Sequence, residues 1–175
     1  MAAMRHAGLR CPVMGAMTLQ TRMTTMAFRF TVAADAPSLY APMLALTKAI
    51  RGSGLPTGLI HLIDLRVSQI NGCAYCIDLH TKEARHDGQS DQRIAAVAEW
   101  QRSDLFLPDE RAAFAWAEAL TRNRHHDIDA AHQELQRHFS AEQIAHLTVV
   151  VAQINAWNRV GIAQHVEGTA VGMAA

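Results

Sequence analysis

From residue 35 onward, apolar residues return every three or four positions along most of the chain. Leu39, Tyr40, Met43, Leu44, Leu46 and Ile50 mark the apolar face of a first helix, and Gly52 and Gly54 stop it. Pro56 suits the first turn of the next helix, where Leu59, Ile60, Leu62, Ile63, Val67 and Ile70 keep the period up to Gly72. A third helical stretch runs from about residue 73 to 86 and ends at Gly88. Ser90 suits an N-cap for residues 91–100. Pro108 opens a stretch carrying Phe114, Trp116, Ala117 and Leu120, and Asp127 or Asp129 can cap a short helix through His138. Ser140 and Gln143 have the spacing of a capping box. The last helix then carries Ile144, Leu147, Val150, Val151, Ile154, Trp157 and Ile162. Residues 149–151 favour a strand by themselves, but the spacing on either side is helical. No alternating segment or hairpin dipeptide argues for a sheet. The pattern predicts an all-α domain of about six or seven helices joined by short loops.

Composition narrows the class without naming a function. Half of the 175 residues are apolar and 18% are charged, which excludes global disorder and allows a sizeable core. Sixteen basic residues balance sixteen acidic ones, so no net field draws in nucleic acid or an anionic membrane. No apolar run reaches the roughly 18 residues of a membrane span. Three cysteines are too few for a disulfide-dense secreted scaffold, and the expectation is a cytoplasmic protein. The neutral total is uneven. Residues 1–26 hold six of the eight methionines and three arginines but no acid, leaving thirteen basic and sixteen acidic residues in 27–175. This first segment reads as a poorly structured extension, or as sequence upstream of a true start near Met23. Its Cys11 reads as an incidental thiol. Residues 27–175 read as the helical domain.

The candidate chemistry is concentrated at Cys73, Cys76 and His80. Gly72 breaks one helix just before Cys73, so the two cysteines fall at the start of the next. Cysteines at i and i+3 lie on one helix face, within reach of a disulfide. The unpaired N–H groups of a helix N-terminus favour a thiolate and lower cysteine pKa. His80 lies one turn beyond Cys76 and can accept its proton, directly or through a water. A thiolate beside a base, with a second thiol in reach, suits reductive peroxide chemistry. The first sulfur becomes a sulfenic acid, the second condenses with it to a disulfide, and an outside reductant reopens it.

Two other readings use the same residues. The pair also reads as a redox-sensing or scaffold dithiol without turnover. Alternatively, Cys73, Cys76 and His80 could hold zinc, with His61, His86 or Asp78 considered as a fourth ligand. Asp78 is a poor candidate, since two residues turn it about 200° away from Cys76. Elsewhere the polar residues are less informative. His125, His126, His132, His138 and His146 read as solvated or interface groups. Arg122 and Arg124 make no basic patch. Asn155, Asn158 and Arg159, on an otherwise apolar helix, suggest a hydrogen-bond network between helices or subunits. Nothing in the sequence calls for a cofactor.

The segment Leu65-Arg66-Val67-Ser68-Gln69-Ile70-Asn71-Gly72-Cys73-Ala74-Tyr75-Cys76-Ile77-Asp78-Leu79-His80-Thr81-Lys82 resembles the core motif of the AhpD-like alkylhydroperoxidases, within the carboxymuconolactone decarboxylase superfamily. The similarity extends over about residues 28–165. It includes the stretches 113–121 and 154–159. The resemblance implies an all-helical fold and a homo-oligomer, a trimer or a hexamer. It also implies an antioxidant peroxidase that reduces hydroperoxides through a CxxC disulfide cycle, with a thiol or dithiol as reductant. By motif position, Cys76 resembles the attacking cysteine, Cys73 the resolving one, and His80 the relay histidine.

The chain departs from the family pattern at two positions. Well-studied members carry a relay glutamate twelve residues before the first cysteine, where this chain has His61. Some members place a histidine between the cysteines, where this chain has Tyr75. An imidazole at position 61 can also relay protons, but it cannot raise the basicity of His80 through negative charge. The expectation is therefore a weakened relay or a shifted pH optimum, with a buried core histidine as the alternative role for His61.

Overall fold

The structure, a computed structural model, describes residues 27–166. Residues 1–26, and with them the reading of an N-terminal extension and of Cys11, lie outside the described residues. Among those described there are eight α-helices, one 3-10 segment and no strand. This is the expected all-α fold with one helix more than the upper count. The addition is α1 (Val32–Asp35), a single turn that leads into α2 (Pro37–Arg51).

Helix α3 (Thr57–Asn71) is the central element. Leu59, Ile60, Leu62, Ile63, Leu65 and Val67 are buried, and so are His61, Arg66 and Ser68. A helix that is apolar almost all round is buried on several sides. Here α3 packs against α4 (Ala74–His86), α6 (Pro108–Thr121) and α8 (Ala141–Gln164). One side joins Ile60, Ile63 and Val67 to Ala113, Ala117, Leu147, Val150 and Ile154. The other joins Leu62 and Leu65 to Ala84, Val97, Trp100, Phe106 and Phe114. Each fully buried Leu, Ile or Phe contributes about 1.5–3 kcal/mol relative to an exposed one. Buried Arg66 of α3 is satisfied in place. Arg66 forms an ion pair with Glu118 of α6 at 2.5 Å, and that carboxylate also accepts from the Trp100 indole at 2.9 Å.

Local boundaries follow the capping chemistry. Gly72 ends α3 in the left-handed region with φ 69°, where a side chain would strain the backbone. Ser140 and Gln143 complete the capping box of α8. The expected cap of the preceding helix differs. Helix α7 (His125–Leu135) starts after Arg124, and Asp127 lies in its first turn. The expected helix over 91–100 also divides. Helix α5 (Asp91–Ala96) gives way to a 3-10 segment (Val97–Arg102) with non-helical angles at Glu99.

Helix α2 differs from its expected packing. Its apolar period is real, but of its residues only Ile50 is fully buried, while Leu39, Leu44 and Leu46 are exposed. Polar contacts add to Ile50 and to the edge-to-face pair of Tyr40 and Trp157 in holding it to α8. Gln153 donates to the Met43 carbonyl at 2.9 Å and to Thr47 Oγ1 at 2.8 Å, and the Trp157 indole donates to Thr47 Oγ1 at 3.1 Å.

Candidate active site

The dithiol lies where α3 turns into α4. Cys73 is the N-cap of α4, and its Sγ accepts the Cys76 backbone N–H at 3.4 Å. The role that serine or aspartate takes at most caps is filled here by sulfur. Both thiols are free and buried. A hydrogen bond between the two side chains distinguishes them. It lowers the Cys73 thiol to about 7, helped by backbone N–H groups and by His80. The same bond, with burial and the neighbouring Cys73 charge, pushes Cys76 well above the ordinary thiol value. Both shifts favour negative charge on Cys73 over Cys76.

Helix α8 closes over the pair. A Cβ at Gly161 would lie 2.9 Å from the Cys73 sulfur and 3.2 Å from the Cys76 sulfur, so only glycine leaves room for both. One turn earlier, buried Asn158 also bonds the Cys76 side chain. Asn158 accepts from Asn71 at 2.8 Å and donates to Ser68 at 3.0 Å, and Asn71 also donates to Asn155 at 3.0 Å. These bonds are the network suggested by the polar residues of the last helix, and they run between α3 and α8.

Cys76 and His80 line one cavity of about 250 Å³. Tyr40, Tyr75 and Trp157 contribute aromatic walls, and Asp64 and Glu83 add carboxylates at the His80 end. Tyr75, between the cysteines, stacks on His165 with ring centres 4.3 Å apart. Cys73 is not among the lining residues, so the cavity meets the dithiol through Cys76.

His80 is buried against carboxylates. Its Nδ1–H donates to Glu83 Oε2 at 2.9 Å, and Asp64 Oδ2 lies 3.8 Å from the same nitrogen. Burial opposes a charged His80, but these acids outweigh it and raise the pKa above the ordinary histidine value. Glu83 is held down at about 2: burial opposes this too, and the bonds from His80 and Arg51 outweigh it. Burial pushes the Asp64 carboxyl up to about 6. With Nδ1 committed to Glu83, His80 keeps Nε2 as its basic nitrogen.

His61 lies beyond Glu83. Its Nδ1 is 3.4 Å from Glu83 Oε2, and its Nε2–H donates to Asp87 Oδ2 at 3.0 Å. Burial is the largest influence on its pKa, which is lowered. His61 is therefore a buried histidine whose Nδ1 faces Glu83. The expected residues thus gather at one site, with His61 at its rear. Asp64, Glu83 and Gly161 were not anticipated, and Asn158 was expected in a hydrogen-bond network but not beside Cys76. Glu83 had a readable signal, since it follows His80 by three residues on one helix.

The carboxymuconolactone decarboxylase family pattern matches residues 37–119, a range that includes the dithiol and His80. YdfG of Bacillus subtilis is 36% identical over 129 residues, which cover 73% of this chain and 88% of that protein. The chain belongs to the carboxymuconolactone decarboxylase family, in its AhpD-like branch. Two solved structures of similar fold extend the comparison. One is ATU0492 of Agrobacterium tumefaciens, a protein of unknown function placed with the antioxidant defence protein AhpD. It is 40% identical, with a TM-score of 0.74 over 77% of this chain and 93% of the other. The other is the debrominase Bmp8, solved as a cysteine-to-alanine variant in complex with 2,3,4-tribromopyrrole. It is 28% identical, with a TM-score of 0.68 over 74% of this chain and 70% of that one. Among the described residues, no helix is long and apolar enough to cross a membrane.

Proposed function

We propose that this family member is a thiol peroxidase that reduces alkyl hydroperoxides through a Cys73–Cys76 disulfide cycle. The observation that carries the reading is that Cys76 and His80 line the same largely apolar cavity, with Cys73 bonded to Cys76 behind it. His80, its basicity raised by Glu83 and Asp64, takes one proton from the dithiol. The two sulfurs then share the other. With that proton on Cys73, the Cys76 thiolate attacks the terminal peroxide oxygen. The O–O bond breaks, and His80 returns its proton to the leaving alkoxide, giving an alcohol and a Cys76 sulfenic acid. Cys73 then attacks the Cys76 sulfur, and its proton leaves with the hydroxyl group as water. An external dithiol reduces the disulfide and closes the cycle. The exposed Leu39, Leu44 and Leu46 suit burial against further copies in a homo-oligomer.

Turnover of cumene hydroperoxide with dithiothreitol as reductant tests the reading. The wild-type chain turns over, and Cys76→Ser and Cys73→Ser do not. Wild-type turnover no faster than that of Cys76→Ser would overturn it. The likeness to Bmp8 and the aromatic walls favour a second reading, reductive removal of bromine from an aromatic ring by the same dithiol. It predicts bromide release from tribromopyrrole and no peroxide turnover.

A further inference from the structure

We propose that His61, Asp64 and His80 form a binding site for a first-row divalent cation, zinc foremost, that does not use the cysteines. One donor atom from each of the three lies within 4.8 Å of the others. His61 and Asp64 are one turn apart on α3, and His80 faces them from α4. Two imidazoles and a carboxylate suit zinc, and also iron or manganese, better than calcium or magnesium.

The independent observation is the state of His61. It is almost completely buried, at 1% exposure. Its Nε2–H is committed to Asp87, so its Nδ1 carries a lone pair, and that nitrogen has no hydrogen-bond partner. The nearest charged group is Glu83 Oε2 at 3.4 Å, which is itself an acceptor. A buried acceptor facing another acceptor is costly, and a cation between them removes the conflict. The Asp87–His61 bond is also the outer carboxylate that orients many metal-ligating histidines. Three acids, Asp64, Glu83 and Asp87, face the cluster against Arg51 and a protonated His80, and loss of the His80 proton on metal binding leaves the acids in excess. Glu83 Oε2 lies beside these donors, 2.9 Å from His80 Nδ1 and 3.4 Å from His61 Nδ1.

The site differs from a zinc site built on Cys73, Cys76 and His80, and its existence does not depend on the peroxidase reading. The test is a cobalt(II) titration of the full-length Cys73→Ser/Cys76→Ser double variant, stripped of metal beforehand. The same titration is run with Asp64→Asn or His61→Gln added, and zinc is used as competitor. The expected result is about one cobalt per chain, with visible d–d bands and no sulfur-to-cobalt charge transfer, displaced by zinc. Each added substitution weakens binding at least about tenfold, while circular dichroism shows unchanged helicity. Two results would overturn the proposal. In one, the double variant shows no d–d bands. In the other, its bands and affinity are unaffected by Asp64→Asn, the near-isosteric change that preserves packing.

Discussion

His80 Nδ1 donates to Glu83 Oε2 at 2.9 Å, one turn further along the same helix, and that oxygen lies 3.4 Å from His61 Nδ1. The carboxylate beside the relay histidine thus comes from α4, after the dithiol. His61 stands where the family resemblance places a glutamate, and it faces this carboxylate from behind. Arg51 holds the other Glu83 oxygen at 2.7 Å, which fixes the acid in place. Glu83→Gln removes the charge that sustains a basic His80. Peroxide turnover is expected to fall by about tenfold or more, since positioned acid–base groups supply about 10²–10⁴ in rate. Stopped-flow measurement of Cys76 oxidation checks this, and an unchanged rate would remove Glu83 from the relay.

The bond between the sulfurs favours a thiolate on Cys73. Ultraviolet absorbance of the reduced protein should show one thiolate titrating near pH 7. In Cys76→Ala the side-chain bond is lost, and the remaining thiol should move up toward the ordinary value of about 8.5. If instead the low titration survives in Cys76→Ala and disappears from neither single variant, the bond between the sulfurs is not its cause.

Gly161 is expected to be critical for a steric reason. An alanine there places its Cβ 2.9 Å from one sulfur and 3.2 Å from the other, so at least one must move. Alanine is also the better helix former, which limits any loss of stability. Gly161→Ala should keep its melting temperature within a few degrees and lose about tenfold or more in turnover. Full turnover in a folded Gly161→Ala protein would contradict the close approach.

Stability should depend on pH through Glu118. Burial alone would raise its pKa, but the Trp100 and Arg66 bonds outweigh that and hold it below the ordinary value of 4.5. A carboxyl with a depressed folded pKa stabilises fully above its unfolded pKa. The contribution fades as pH falls below about 4.5 toward the folded value. Glu118→Gln should therefore cost about 2 kcal/mol near neutrality, with Arg66 left partly unpaired. Its deficit should shrink as wild-type Glu118 protonates. Urea unfolding of both proteins from pH 7 to pH 3 measures it, and a deficit constant with pH would contradict the assignment.

The helices were readable because a 3.6-residue period survives in nearly every segment, and Gly72, Ser90 and Ser140 punctuate it chemically. The same period misled at α2. It reports that one face is apolar, and it is silent on whether anything covers that face, and Leu39 and Leu44 of that face are exposed. At the site, Cys73, Cys76 and His80 were legible because all three lie on one short local stretch. Gly161 and Asn158 were not, since only the packing of α8 over the α3–α4 turn brings them to the sulfurs. Spacing also could not show which sulfur carries the charge. Spacing places both on one face, while the cap geometry at Cys73 points a backbone N–H at its sulfur alone.

Peptide mapping after one equivalent of alkyl hydroperoxide tests the central claim most directly. The account predicts that Cys73 and Cys76 are recovered as a disulfide within one peptide, reversed by dithiothreitol, and that Cys76→Ser gives neither this disulfide nor a sulfenic acid at Cys73. Recovery of both thiols unmodified, with the peroxide intact, would contradict it.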